Sequence, residues 1–254
     1  MEYPIKPRGW VWLDYDPLMI ESINGSFLTI IPGVDMGISN DRKTFQDSVS
    51  LVFQMNFKTG AFERKLRKPA NSIYRQSDDY YGMGIPLFSK MNENTLAFTY
   101  SADTSVYIYD VPSDQVLRTI SIPTSFQPSV TPVSYESKES PKEESVNAQI
   151  FSTGDQVLLV KLGQIPEEVY NEIMAMGGQW WQSPELEAAA EKYMTRKHSL
   201  YSQNHFLGEV EWNVGKGFNN VVSTNSDFLW VQRIYEDERD YRTFLKVKII
   251  PVED

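Results

Sequence analysis

Residues Val52 to Pro69 read VFQMNFKTGAFERKLRKP, and residues Val106 to Pro123 read VYIYDVPSDQVLRTISIP. The two stretches are equal in length and align without a gap, Val52 against Val106, 54 residues apart. Each is a strand, a tight polar turn and a second strand that stops at proline. In the first, Phe53, Met55 and Phe57 alternate with Gln54 and Asn56; Tyr107, Tyr109 and Val111 hold the same places in the second. Strand side chains alternate faces with period two, so each copy sets three large apolar groups on one face. Lys58-Thr59-Gly60 and Pro112-Ser113-Asp114 make the reversals, Gly60 through free φ, Pro112 through preset φ and Asp114 through a local side-chain hydrogen bond. The return strands match Phe62 and Leu66 with Val116 and Ile120, and Arg64 with Arg118. A hairpin repeated at fixed spacing marks the blades of a β-propeller or a similar repeated sheet. The competing reading is two unrelated hairpins in an all-β domain.

The flanking sequence extends the pattern. Asn24-Gly25 lies between apolar runs ending at Ile23 and Ile31, the strongest short hairpin signal. Strands expected over 85–89 and 95–100 join the second hairpin, at 106–111 and 116–122, to make one four-stranded unit. Ala148 to Leu162 reads as two strands turning at Gly154-Asp155, and Gln203 to Trp212 as another. Strands follow at Val221-Val222 and Phe228 to Arg233, and a last hairpin runs to Ile250 around Glu236 to Asp240. Ser134 to Ser145 (SYESKESPKEES) is charged and lacks apolar period, the composition of a surface loop. The fold class expected is all-β, a β-propeller-like array of antiparallel four-stranded blades in one domain over 1–254. Its units are centred near 27–66, 85–122, 150–212 and 221–250. The last unit lacks an outer strand. Because open sheet edges invite aggregation, the spare aromatic strand Gly9 to Tyr15, with Trp10 and Trp12, is expected to close it.

One piece is helical. Over 165–199, Pro166 stands at a first helical position with Glu167 and Glu168 behind it. Val169, Tyr170, Ile173 and Met174 share a face, and Gly177-Gly178 ends the turn of helix. Ser183 then caps a second helix opened by Pro184, in which Leu186, Ala189, Ala190, Tyr193 and Met194 keep helical spacing. Arg196 and Lys197 are placed at its end, where positive charge is favoured. Helices are therefore expected at 166–176 and 184–197, inserted between strands of one unit and packed outside the sheets.

Composition narrows the function. The chain has 254 residues, a formal net charge of −10 and no cysteine. The negative charge opposes nucleic acid and anionic membrane surfaces. Without cysteine there is neither a disulfide framework nor thiolate chemistry. Met1 to Arg8 is polar and proline-broken, with no apolar run like that of a signal peptide, and no stretch is long enough for a transmembrane helix. The chain as written is expected to be soluble.

The order of these elements is familiar. GSFLTIIP, the hairpin VFQMNFKTGAFERKLRKP, the tyrosine-rich link after it, LFSKMNENTLAFTYSADTSVYIYDV and the closing FLWVQRIYEDERDYRTFLKVKII resemble domain-of-unknown-function family 4221. These are uncharacterised Bacteroidetes lipoproteins with a TolB-like propeller. The resemblance covers most of the chain from Ile20 on. It implies a cell-envelope location, periplasmic or attached to the outer membrane. Members usually carry a signal peptide, a lipidated cysteine and further N-terminal propeller sequence. None of the three is written in this chain, the pattern of a fragment or a shortened member. The family offers no catalytic residues to carry over.

The residues themselves carry little chemistry. His198 and His205 are the only histidines, and two histidines without cysteine make a poor zinc site. They are read as partly exposed surface residues. Asp237, Glu238 and Asp240 crowd one turn but lack EF-hand spacing, and a solvated hairpin tip explains them. No nucleophile elbow, phosphate loop, dinucleotide fingerprint or zincin motif is present. No cofactor, no metal site and no catalytic residue are therefore assigned. Trp180 and Trp181, bracketed by Gln179 and Gln182 between the two helices, are the candidate binding residues. Adjacent tryptophans can stack on a sugar or anchor a protein partner; the competing reading is that they dock the insertion onto the sheets. The function expected is a propeller-type binding or scaffold protein of the cell envelope with a protein or glycan ligand. The alternative is a propeller hydrolase or lyase acting on glycans with paired carboxylates.

Overall fold

Antiparallel pairing of strands in sequence order organises almost everything in this molecule. A computed structural model describes residues 20–23, 25–30, 43, 46, 52–56, 58–211, 218–225, 228–233 and 242–250. The first sheet is β1 (Ile20–Ile23), β2 (Ser26–Ile30), β3 (Val52–Asn56) and β4 (Phe62–Lys65), each paired with the next. Gly25, at φ +68°, turns β1 into β2 so that Ile23 pairs with Ser26. That left-handed conformation is why glycine stands there. A one-turn helix α1 (Ile73–Gln76) and a short strand β5 (Asp79–Tyr80) lead to the second sheet. This sheet is β6 (Pro86–Lys90), β7 (Thr95–Tyr100), β8 (Ser105–Asp110) and β9 (Gln115–Ser121), again in sequence order.

Both copies of the repeated hairpin turn by the same device. Asn56 Oδ1 accepts hydrogen bonds from the backbone N–H groups of Lys58 and Thr59 at 2.9 and 3.1 Å. At the matching place in the second copy, Asp110 Oδ2 accepts from the Ser113 N–H at 2.9 Å. A short polar side chain just ahead of the turn thus ties down backbone donors that a reversal leaves unpaired.

Beyond a 3-10 turn at Thr124–Phe126 come β10 (Ser129–Thr131) and β11 (Val133–Ser134), the latter paired with β5. The third sheet contains β12 (Lys142–Thr153), β13 (Gln156–Gly163), β14 (Arg196–Ser202) and β15 (Phe206–Val210), with β10 added beside β12. Helices α2 (Glu167–Ala175) and α3 (Pro184–Tyr193) stand between β13 and β14. The fourth sheet is β16 (Phe218–Asn225), β17 (Phe228–Arg233) and β18 (Phe244–Val247).

The sheets stack face to face in chain order. Leu28 and Val52 of the first share a buried layer with Phe98, Tyr107 and Tyr109 of the second. From the opposite face of the second sheet, Ala97, Val106 and Ile108 share the next layer with Ile150, Val157 and Leu159 of the third. Phe151, Leu158 and Val160 then meet Val221, Leu229 and Val231 of the fourth. One strand of each sheet also lies beside one strand of the next: β1 by β6, β6 by β12, β12 by β16. An inner sheet is therefore covered on both faces, and Ser105 to Tyr109 of β8 are all buried. Burying each large apolar side chain in such a layer contributes about 1.5–3 kcal/mol.

A buried polar network stitches the layers. Asp103, in the β7–β8 turn, accepts from Tyr107 Oη and from the Thr104 N–H, each at 2.9 Å. Asn147 Nδ2 of β12 donates to the carbonyls of Tyr100 and Asp103, both at 2.9 Å. Burial pushes the Asp103 carboxyl up, and the hydrogen bonds it accepts oppose that shift.

Several expectations change. Within the first hairpin the face turned to the shared layer carries Val52; Phe53 and Met55 point the other way, where Phe53 is buried and Met55 half-buried. Phe57 lies outside the described residues. Val116 is exposed, because β9 is the outer edge of its sheet. Lys142 to Ser145, read as the end of a loop, open the long strand β12 and pair with β10. Of the strand expected over Gln203 to Trp212, Phe206–Val210 form β15, Ser202 to His205 make the turn before it, and Trp212 lies outside the described residues. Four-stranded describes the first two sheets; β10 makes five in the third, and three strands are described in the fourth. Gly9 to Tyr15, Trp10, Trp12, Asp237, Glu238 and Asp240 lie outside the described residues.

Candidate functional site

The helical insertion forms for local reasons. Ser183 Oγ accepts from the Leu186 N–H at 3.1 Å and caps α3, with Pro184 in the first turn. Glu167 and Glu168 occupy the first turn of α2, where the helix dipole favours negative charge. Both helices end earlier than their spacing suggests, at Ala175 and Tyr193. Arg196 and Lys197, expected in the last turn of the second helix, are instead strand residues of β14, paired with Leu162 and Lys161. The insertion therefore leaves and rejoins the sheet at neighbouring points. Gly163 sits at that junction, and a Cβ there would come within 2.1 Å of the Tyr193 carbonyl oxygen.

Packing within the insertion is internal. α2, α3 and the 3-10 turn Trp180–Gln182 pack on one another, with Ile173 and Ala189 buried. Trp180 is half-buried with its ring edge-on to Tyr170, centroids 5.4 Å apart and planes at 81°. Trp181 stands nearly perpendicular to Trp180, at 86°, and is 56% exposed. Met174 and Met176 are exposed beside them in sequence, Met176 to 61%. The buried anchor of the hairpin is thus Ile173 and Ala189, and Trp181 stands out at its tip.

A cleft of about 880 Å³ opens at the other end of the insertion, its base. It is bounded by the loop around Tyr80 to Met83, the start of β12, the end of β13 and the first turn of α2. Its charges are mixed. Lys142 Nζ lies 3.6 Å from Glu168. Lys161 donates to the carbonyls of Ser125 and Gln127, both at 3.1 Å. Burial, then the facing Lys197, pushes the Lys161 ammonium down. Burial pushes the Glu143 carboxyl up. Glu144 accepts from Ser129 Oγ at 2.8 Å. Neither Trp180 nor Trp181 lines this cleft, so the structure does not bring the tryptophans and the carboxylates together.

The histidines are apart. His205 is exposed in the β14–β15 turn, its Nδ1 3.1 Å from Ser202 Oγ. His198 is buried rather than partly exposed, paired with Val160 and so on the same face of the sheet. Burial, reinforced by Arg196, lowers its pKa to about 4. Among the described residues no group of three histidines, cysteines or carboxylates could hold a metal ion. No helix among them is long and apolar enough to cross a membrane.

Sequence reasoning missed the Asp103–Asn147 link and the facing lysines of the cleft. Both depend on which strands are neighbours, and no motif marks that.

The fold defines an all-β protein of stacked antiparallel sheets with few helices. No family model matches the chain, and no curated protein does. Among solved structures, it resembles a member of the DUF4221 family from Bacteroides vulgatus ATCC 8482, at a TM-score of 0.50 and 8% identity. The match covers 91% of this chain and 63% of that one, so the chain spans less than two thirds of its neighbour's length. At that identity the likeness concerns the fold.

Proposed function

We propose that the chain is a propeller-type binding or scaffold module of the bacterial cell envelope that meets its ligand through Trp180 and Trp181. The observation that carries this reading is the exposure of Trp181, 56%, at the tip of an insertion whose own core is filled by Ile173 and Ala189. A large aromatic side chain left in water has a cost that packing elsewhere does not require, and such residues dominate binding surfaces. Support for the propeller comes from the order of the layers and from β1, β6, β12 and β16 lying side by side in turn, as blades do around a common axis. The envelope location rests on the family resemblance. Retention of the purified chain on bacterial envelope fractions tests the reading, against a W180A/W181A variant of unchanged melting temperature. A fall of about tenfold or more is expected from losing an aromatic anchor; equal retention contradicts it.

A second reading, a hydrolase or lyase acting on glycans, draws on Glu143. Its raised pKa in a cleft that also holds Glu144, Glu167 and Glu168 suits a general acid. Turnover of a polysaccharide that disappears in E143Q would favour it.

A further inference from the structure

We infer that the partner of the insertion tip is a basic amphipathic helix presented by another protein; this rests on the binding reading above and names the class of ligand. The tip is an apolar stripe inside an acidic frame. Tyr170 and Met174 stand one helical turn apart on α2, on one face. Trp180 rests edge-on against Tyr170, and Trp181 extends the stripe into solvent. Near it Glu172 of α2 and Glu185 and Glu187 in the first turn of α3 are exposed, and no basic residue occurs between Tyr170 and Glu191.

Each competing occupant meets a physical objection. A second copy of a chain with net charge −10 would bring like charge onto the glutamates. An anionic lipid surface is repelled in the same way. An extended glycan needs ring faces turned the same way, whereas Trp180 and Trp181 stand at 86°. Exposed methionines and a tryptophan are well suited to an apolar helix face, since thioether side chains adapt to what they meet. The glutamates then pair with lysine or arginine flanking that face and set its orientation.

The test uses the full chain and designed probes. One is a Leu/Lys amphipathic helix of about 18 residues, five turns long. The others are its Leu/Glu counterpart, phosphatidylglycerol vesicles and a β-linked glucose hexamer. Calorimetry should detect the Leu/Lys peptide alone. Its affinity should fall about 30-fold in W181A, and by a similar factor when Glu172, Glu185 and Glu187 are replaced together by Gln. Equal binding of the Leu/Glu peptide, or W181A binding the Leu/Lys peptide like wild type, overturns the inference. Trp181-dependent binding of the hexamer or the vesicles also overturns it, while leaving the tip as a binding surface. No Trp181-dependent binding of any probe removes both.

Discussion

Val52 and Val106 hold the same place in the repeated hairpin, both are fully buried, and they fill successive layers of the core. Val52 packs toward the second sheet and Val106 toward the third. One repeat position therefore serves the same role in two consecutive interfaces. A repeat that cannot cover its own apolar face is completed by the next copy.

Leu158 and Leu159 probe this stacking within one strand. They point to opposite faces of β13 and fill the third and second layers respectively, each 1% exposed. Replacing either by alanine should cost about 2–5 kcal/mol, whereas Val116→Ala on the exposed edge strand should cost within about 0.5 kcal/mol. Thermal melts resolve the contrast, at about 2–4 °C per kcal/mol for a chain this size. A tolerant Leu158 would mean that the third and fourth sheets do not share a core.

Much of this architecture was legible in residue order, and its omissions have physical causes. Strand alternation and turn chemistry located both hairpins and the four-stranded second sheet, and Ser183-Pro184 marked the start of α3. Period two separates two faces but does not say which is covered, so Val52 rather than Met55 turned out to face the shared layer. Neither does it show that a strand such as β8 is covered on both. Arg196 and Lys197 read as a helix end because favourable charge there looks the same as the polar opening of β14. The Asp103–Asn147 link joins residues from two sheets, and only tertiary packing reveals it. The tryptophan pair was visible as a motif; its exposure was not.

His198 should make stability depend on pH. Its folded pKa, about 4, lies below the ordinary 6.5. The unfolded chain therefore binds the proton first as pH falls. The contribution is complete above about pH 6.5 and is lost as pH drops through about 4, amounting to at most about 3 kcal/mol. Chemical denaturation at pH 7 and pH 4.5 should show the loss, and H198L should shrink it. An unchanged pH profile in H198L would place the proton uptake elsewhere.

Gly163 sets the seat of the insertion. A methyl group there meets the Tyr193 carbonyl at 2.1 Å, a backbone atom that cannot swing aside. Gly163→Ala should cost about 1–3 kcal/mol and speed amide exchange in α3 more than in β8. Uniform exchange changes, or none, would show that the junction is looser than its geometry.

Asp103 should be more sensitive than its turn position suggests. Asp103→Ala leaves the buried Tyr107 hydroxyl and the half-buried Thr104 N–H without this acceptor. The expected loss is about 2–4 kcal/mol. A urea midpoint shifted by less than the Val116→Ala control would contradict a structural role for this network.

The most direct measurement removes the insertion. Leu162 and Arg196 are paired across β13 and β14, so an Asn-Gly turn replacing residues 163–195 can close the gap the helices leave. The stack of sheets should remain folded, unfold cooperatively and melt within about 5 °C of the intact chain, while retention on envelope fractions disappears. Loss of the cooperative transition would make the helices part of the core, and retention equal to that of the intact chain would place the binding surface elsewhere.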